Sequence, residues 1–142
     1  MDTKALRRNI IQRLFGICAT KPPADDGAWT VQDTKVIVDL GRIPELAETN
    51  RAVRLEKKGP DRLILVHGDD GRYHALKNRC THGGRRLDPV PGTQQIQCCS
   101  IGRSTYDYSG KVLSGPAKRP VDICTVKIND DTLEILDRNP TG

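Results

Sequence analysis

The chain has 142 residues, of which 36% are hydrophobic, 4% aromatic and 29% charged, and its formal net charge is +5. A chain of this length forms one domain with its own core. No apolar run approaches the roughly 20 residues needed to span a bilayer, so we expect no transmembrane segment. Aromatic residues do not alternate with the basic ones, so we expect no nucleic-acid partner.

Residues 1–20 are predicted to form a basic amphipathic helix. Leu6, Ile10, Leu14 and Ile17 recur at helical spacing, and Arg7, Arg8 and Arg13 occupy the remaining face. The apolar stripe of such a helix must be covered by something. Three roles remain open: the helix packs on its own domain, docks a partner protein or lies on a membrane surface.

After the helix the pattern changes to short β segments. The prolines and glycine of KPPADDG predict a linker over residues 21–33. Residues 34–137 then contain short apolar or alternating segments with turn signals between them, which predicts an all-β sandwich or small barrel of about nine strands. Residues 138–142 are a tail. The predicted strands are KVIVDL, AVRLEK, RLILVH, RYHALKN, QQIQC, STYDY, KVLSG, VDICTVKI and TLEILD.

The five cysteines are an odd number, and no secretory leader precedes them. Arg13 interrupts the only early apolar segment, and no small-residue cleavage site follows it. We therefore expect a reducing, cytoplasmic setting. In that setting clustered cysteines serve more often as metal ligands or redox groups than as structural disulfides.

Two loops between the predicted strands carry metal-binding residues. The first loop, CTHGG, places Cys80 and His82 one residue apart directly after a strand. The second loop follows QQIQ and begins with the adjacent Cys98 and Cys99. Loops that project from neighbouring hairpins can hold an ion or a small cluster between them. Thiolate and imidazole groups are the ligands of zinc sites and of some iron–sulfur clusters.

The order of these motifs resembles the Rieske family, in which a Cys-x-His pair is followed further along the chain by a Cys-x-x-His pair. The resemblance covers about residues 34–137, and KVLSGPAKRP resembles the Ser-Gly-Pro loop that covers the cluster in this family. The positions that match the family pattern around the two loops are His82, Gly84, Leu87, Tyr106, Asp107 and Gly110.

The resemblance implies a Rieske-like all-β fold and a [2Fe–2S] cluster, in which two cysteines hold one iron and two histidines hold the other. It implies electron transfer as a ferredoxin or as a subunit of a larger redox complex, with protein redox partners. Pro116 is expected to shield the cluster. We expect an electron carrier rather than a catalyst, with no catalytic residues, because 142 residues leave no room for a mononuclear iron domain.

The second loop departs from the family pattern because it contains no histidine. Counted forward from the strand, Cys98 takes the cysteine position and Ile101 the histidine position. Counted back from Tyr106 and Asp107, Cys99 and Gly102 take these positions. Neither isoleucine nor glycine offers a side-chain ligand. We expect Cys80 and His82 to bind opposite irons, with Cys99 the next candidate ligand and Cys98 after it.

Three outcomes follow from the missing histidine. The cluster binds through Cys80, His82 and both Cys98 and Cys99, or through one of these and a residue outside the motif. Alternatively no cluster binds and the fold is a structural or interaction module. In the third outcome Cys80 forms a thiol switch with Cys98 or Cys99. Adjacent residues of a strand point to opposite faces, so Cys98 and Cys99 converge only where the chain bends sharply.

Other candidate residues have simpler explanations. Cys18 on the helix and Cys124 in a strand are expected in the core. His67 and His74 flank a turn and are expected to be surface or packing residues rather than ligands. The arginine pair that follows the first loop, Arg85 and Arg86, is solvated by default, but it could bind an acidic electron-transfer partner.

Overall fold

The computed structural model describes residues 18–59, 61–100 and 102–137, and these form an all-β domain of eleven strands. The expected all-β class is confirmed. Most of the predicted helix (residues 1–17) and the predicted tail (138–142) lie outside the described residues. The strands are β1 Trp29–Gln32, β2 Lys35–Asp39, β3 Arg51–Leu55, β4 Leu63–His67, β5 Tyr73–Lys77, β6 Leu87–Val90, β7 Gln95–Cys98, β8 Thr105–Asp107, β9 Val112–Ser114, β10 Ile123–Asn129 and β11 Thr132–Asp137.

The strands form two antiparallel sheets. The larger sheet has seven strands in the order β1-β2-β11-β10-β5-β4-β3, and the smaller sheet has the order β6-β7-β8-β9. The chain passes from the larger sheet to the smaller one after β5 and returns to the larger sheet after β9. The connection between β5 and β6 is the first ligand loop, so this loop bridges the two sheets.

β4 is buried on both faces, as its continuous apolar run predicts. Leu63 and Leu65 face a core cluster built largely from the larger sheet, in which they pack with residues of β2 and β11. Ile64 and Val66 face a second cluster that lies against the smaller sheet. Two cores therefore lie back to back on this strand, and the second core contains Cys80, Cys98 and Tyr106.

Two strands, β1 and β6, fall outside the nine predicted from the sequence. β1 lies inside the predicted linker 21–33 and pairs with β2 from Trp29↔Val38 to Gln32↔Lys35. β6 contains Asp88 and Pro89, residues that usually argue against a strand. Proline is tolerated here because β6 is an edge strand of the smaller sheet and needs hydrogen bonds on one side only.

Helical structure in the described part of the chain is confined to short 3-10 turns at Asp26–Ala28, Leu40–Arg42 and Pro44–Leu46. Proline begins the last of these turns, a position at which its missing N–H removes no hydrogen bond. Asp25 caps the first turn, since its carboxylate accepts a hydrogen bond from the Gly27 N–H at 3.0 Å. Within the described residues, no helix is long and apolar enough to cross a membrane.

The segment that leads into the domain is fastened to the smaller sheet. Cys18 forms a disulfide with Cys99, and their Cα atoms are 5.4 Å apart across a sequence separation of 81 residues. Asp88, only 1% exposed, accepts hydrogen bonds from the N–H groups of Ala19 and Thr20 at 2.8 and 2.9 Å. Residues 18–20 carry no helix. Cys18 is thus a covalent anchor, where the sequence analysis expected a core residue on a helix.

Replacing Cys18 tests this anchor. Cys18→Ser should lower the free energy of unfolding by about 2–4 kcal/mol, because a disulfide that closes a long loop restricts the unfolded chain. Urea denaturation in an oxidising buffer measures the difference from the unmodified protein. With dithiothreitol present the two proteins should unfold at the same urea concentration, and equal stability without the reductant would contradict the anchor.

Candidate metal centre

Two buried thiols meet at the end of the smaller sheet. Cys80 lies in the loop after β5 and Cys98 is the last residue of β7; they are 2% and 1% exposed. Neither takes part in a disulfide, and both belong to the same buried core cluster. The fold therefore joins one cysteine from each predicted ligand loop. Of the two adjacent cysteines in the second loop, it selects Cys98 for this pair.

Hydrogen-bond donors surround the sulfur of Cys80. The Tyr106 hydroxyl lies 3.3 Å from Cys80 Sγ, and the backbone N–H groups of Gly83 and His82 also point at this sulfur. Burial raises the pKa of the Cys80 thiol, but these donors, with the Cys98 thiol, outweigh burial and bring the pKa below its usual value. The site thus favours a thiolate at Cys80, which is the form that binds metals.

The Cys98 sulfur has a different environment. The Ser100 hydroxyl lies 3.1 Å from Cys98 Sγ. Burial raises the pKa of Cys98, and hydrogen bonds from the side chain and backbone of Ser100 only partly offset it, while the neighbouring Cys80 raises the pKa further. Two thiols this close cannot both ionise cheaply in the absence of a cation. A metal ion between the two sulfurs removes this cost.

Tyr106 holds the first loop in place. Its side chain is fully buried in β8, and its hydroxyl accepts a hydrogen bond from the Thr81 N–H at 3.1 Å besides contacting Cys80. The Thr81 hydroxyl also lies 3.1 Å from the Tyr106 oxygen and donates to the carbonyl of Arg119 at 2.6 Å. One side chain of the smaller sheet therefore positions both the ligand loop and the loop that follows β9.

Ion pairing fixes the far end of the first loop. Arg86 binds Glu56 through two hydrogen bonds of 2.6 and 2.9 Å, and the Arg86 guanidinium holds the pKa of the Glu56 carboxyl below its usual value despite partial burial. Arg62 donates to the carbonyl of Gly84 at 2.7 Å. The sequence suggested that Arg86 could bind an acidic partner. In the structure Arg86 instead forms an ion pair with Glu56 of its own domain.

The loop after β9 closes over the second ligand loop. A Cβ atom on Gly115, which has φ +91°, would lie 2.5 Å from the Ser104 Cα, so only glycine permits this approach. The Ser104 hydroxyl accepts a hydrogen bond from the Ala117 N–H at 3.0 Å. Pro116 is exposed and lies against Gly102, where a Cβ would be 3.1 Å from the proline ring. Pro116 therefore covers the second loop from outside.

The remaining candidates lie apart from the thiol pair or are otherwise engaged. His82 is exposed on the first loop. Cys99 is fully buried and bonded to Cys18, so it offers no thiol in this structure. His67 stacks on Tyr73, and its Nδ1 lies 2.9 Å from the Leu46 carbonyl oxygen.

His74 is also accounted for by its neighbours. It lies 2.9 Å from an oxygen of Asp70 and stacks on Tyr108 with ring centroids 4.3 Å apart. Both His67 and His74 therefore have packing contacts of the kind that the sequence analysis expected. Sequence reasoning missed the Cys18–Cys99 bond, and the signal for it was weak, because two cysteines, Cys18 and Cys124, lie outside the two ligand loops.

Comparison with known proteins places this geometry in context. The family model described as the Rieske [2Fe–2S] domain matches residues 37–128. A cytochrome b6-f complex iron-sulfur subunit 2 from Nostoc sp. (strain PCC 7120) is 43% identical over 122 residues, which cover 80% of this chain and 67% of the relative. Other curated relatives, all named iron-sulfur subunits of the cytochrome b6-f complex, are matched over 33% to 66% of their length.

Solved structures share the fold at low identity. A plasma membrane Rieske protein from Synechocystis PCC 6803 aligns with a TM-score of 0.51 and 20% identity, covering 59% of this chain and 84% of the other. The ferredoxin of carbazole 1,9a-dioxygenase from Nocardioides aromaticivorans IC177 aligns with a TM-score of 0.55 and 17% identity, covering 64% and 88%.

The expected cytoplasmic location is wrong. The sequence relatives are subunits of the cytochrome b6-f complex, and one structural neighbour is a plasma membrane protein. The expectation failed because it rested on the odd number of cysteines and on the lack of a recognised leader, and neither feature identifies where a domain is located. The Cys18–Cys99 disulfide also differs from the expected reducing setting.

The donor set fits most of a Rieske [2Fe–2S] cluster. Cys80 and Cys98 supply two converging sulfurs in a site rich in hydrogen-bond donors, which suits a thiolate-bound iron. His82 supplies one imidazole on the exposed rim. The position of the second imidazole is held by Ile101 when the motif is counted from Cys98, so the fourth donor must come from outside the motif.

Removing the Tyr106 hydroxyl tests its role in this site. Tyr106→Phe should lower the free energy of unfolding by about 1–3 kcal/mol, because it leaves a partly buried N–H and a buried sulfur without their partner. Tyr108→Phe is the matched control, since that hydroxyl accepts only an exposed hydrogen bond from the Asp69 N–H. Urea denaturation should show a loss under about 1 kcal/mol for the control. Equal losses in the two variants would contradict the role of Tyr106.

Proposed function

Because the chain belongs to the Rieske [2Fe–2S] domain family, we propose that Cys80, Cys98 and His82 hold the cluster through which it transfers electrons. Family membership confirms the predictions of electron transfer and of a [2Fe–2S] cofactor. The observation that carries the proposed ligand set is that two buried, free thiols, one from each ligand loop, lie in the same core cluster. Cys99, ranked above Cys98 by the sequence, is given no ligand role because it is bonded to Cys18.

Each residue of the site has a separate task. Cys80 and Cys98 would hold one iron of the cluster, and Tyr106 with the backbone N–H groups near Cys80 would stabilise the negative charge on sulfur. His82 lies on the exposed rim and is the ligand through which a partner reaches the site. When bound, a cluster of this type accepts and releases one electron at a time. The buried surroundings of the two thiols exclude water from the inner half of the site.

The relatives support a place in a multi-subunit redox complex. They are iron-sulfur subunits of the cytochrome b6-f complex, so protein partners are expected for this chain. We propose that it acts as the iron-sulfur subunit of a comparable complex, exchanging electrons with another protein at the exposed His82. A free ferredoxin is the alternative within the same function, since a ferredoxin of solved structure shares this fold.

Paired serine variants test the proposed ligand set. Protein produced anaerobically with iron and sulfide should be brown and contain about two irons per chain. Cys98→Ser should abolish this iron and the colour, because the inner iron loses one of its two thiolates. Cys99→Ser is the matched control in the neighbouring position, and it should keep the iron while losing the disulfide. Iron analysis, sulfide analysis and visible absorption provide the measurements.

The reverse pattern would contradict the ligand set. Loss of iron in Cys99→Ser alone would make Cys99 the ligand. An unmodified protein that is colourless and iron-free, with a stability unchanged by Cys80→Ser, would instead favour a Rieske-fold interaction module, since cluster binding contributes to folding energy.

Restoring the missing imidazole gives a second test. Ile101→His completes a Cys-x-x-His pair counted from Cys98. The reduction potential should rise by on the order of 100 mV, because two-histidine clusters have higher potentials than clusters with more anionic ligands. Voltammetry measures the potential, and electron paramagnetic resonance of the reduced protein should change toward the two-histidine type. Ile101→Leu is the control, and its potential should remain that of the unmodified protein. An unchanged potential in Ile101→His would contradict the register that starts from Cys98.

A further inference from the structure

Three arginines are tied to the loop that carries His82. Arg62 donates to the carbonyl of Gly84 at 2.7 Å. The Arg79 guanidinium lies beside the same glycine, since a Cβ on Gly84 would be 3.5 Å from an Arg79 nitrogen. Arg119 approaches from the loop after β9, where its carbonyl accepts the hydrogen bond from Thr81. With His82, these arginines line one open cavity at the end of the domain.

Carboxylates only partly balance this charge. Asp61 and Asp122 line the same cavity, but Asp61 is paired with Lys77 at 2.7 Å. That pair leaves Asp122 facing three arginines. The pKa of Arg62 is below its usual value, first because of burial and then because of the nearby positive charges of Arg86 and Arg79, with Glu56 opposing them. Negative charge brought to this cavity therefore meets an excess of guanidinium groups over carboxylates.

We propose that the His82 surface, formed by Arg62, Arg79, Arg119 and His82, docks a carboxylate-rich face of a protein redox partner. Guanidinium groups bind carboxylates through paired hydrogen bonds, and a cationic rim raises the rate at which an anionic surface finds it. The inference rests on the proposed function, because a partner docked here is placed against the exposed ligand His82. It assigns the partner a sign of charge that the protein family does not specify.

Nucleic acid is the less suitable polyanion for this surface. The residues described around the cavity include no phenylalanine, tyrosine or tryptophan on which a base could stack, and Asp61 and Asp122 are among them. A protein face can place single carboxylates between these acidic groups, whereas a continuous phosphate backbone would pass close to them. The surface therefore fits an acidic protein.

Charge reversal on the full chain tests the docking surface. Arg79→Glu and Arg119→Glu are combined in one variant, while Arg62 is kept because it supports Gly84. The control combines Arg72→Glu and Lys127→Glu, which alter net charge equally. Arg72 immediately precedes β5, at the end of this strand that is far from Cys80. The pairing of β10 with β5 places Lys127 toward the same end. All four side chains are exposed.

The first measurement needs no cluster. A fluorescent hexaglutamate peptide is titrated with each protein, and binding is followed by anisotropy at low salt. The Arg79/Arg119 variant should bind about tenfold more weakly than the unmodified protein, and the control less than about twofold more weakly. Equal weakening in both variants would show that net charge alone attracts the peptide, and this would overturn the proposal.

The second measurement uses the cluster-loaded protein. Reduced protein is mixed with ferricyanide, which takes one electron from the cluster and becomes ferrocyanide, and the rate is followed by stopped flow. The rate should fall about tenfold in the Arg79/Arg119 variant and change little in the control. Weaker peptide binding with unchanged electron-transfer rates would show that the site that binds the acidic peptide lies away from the route of the electron, and this would overturn the proposal. If the protein binds no cluster, the proposed function is wrong. The peptide titration would still test whether this surface binds acidic groups.

Discussion

The candidate centre depends on the contact between the Tyr106 hydroxyl and the first ligand loop. This loop leaves the larger sheet after β5, whereas Cys98 ends β7 in the smaller sheet, so the two thiols belong to different parts of the fold. Tyr106 lies in β8, the neighbour of β7, and its hydroxyl reaches Cys80 and Thr81 across the junction. The pairing of β7 with β8 therefore fixes the distance between the sulfurs.

Most of the fold follows from patterns that are local in the sequence. The run RLILVH predicts a strand buried on both faces, and β4 is such a strand because separate cores lie on its two sides. β6 could not be predicted from Leu87–Val90, since its proline is acceptable only at the edge of a sheet, and an edge is a property of the complete topology. β1 could not be predicted for a similar reason, because its four residues form a strand only through their pairing with β2.

The site was predictable as a pair of loops but not as a set of ligands. Counting from either side of the second loop gives different cysteines, because the tyrosine and aspartate that follow fit one register and the preceding strand fits the other. In the structure, neighbouring residues at the end of β7 point to opposite sides of the chain. The sulfur of Cys98 therefore faces Cys80, whereas the sulfur of Cys99 is bonded to Cys18. No local pattern links Cys18 to Cys99, since 81 residues separate them.

Charge at the centre is balanced by two opposing features of this chain. The donors around Cys80 and the arginines around His82 stabilise negative charge, so both favour the reduced state of a bound cluster. The isoleucine at position 101 leaves the motif without a second neutral imidazole, and an anionic donor in that position would disfavour the reduced state. The arginines around His82 act in the opposite direction, so they would offset part of that effect from the protein surface.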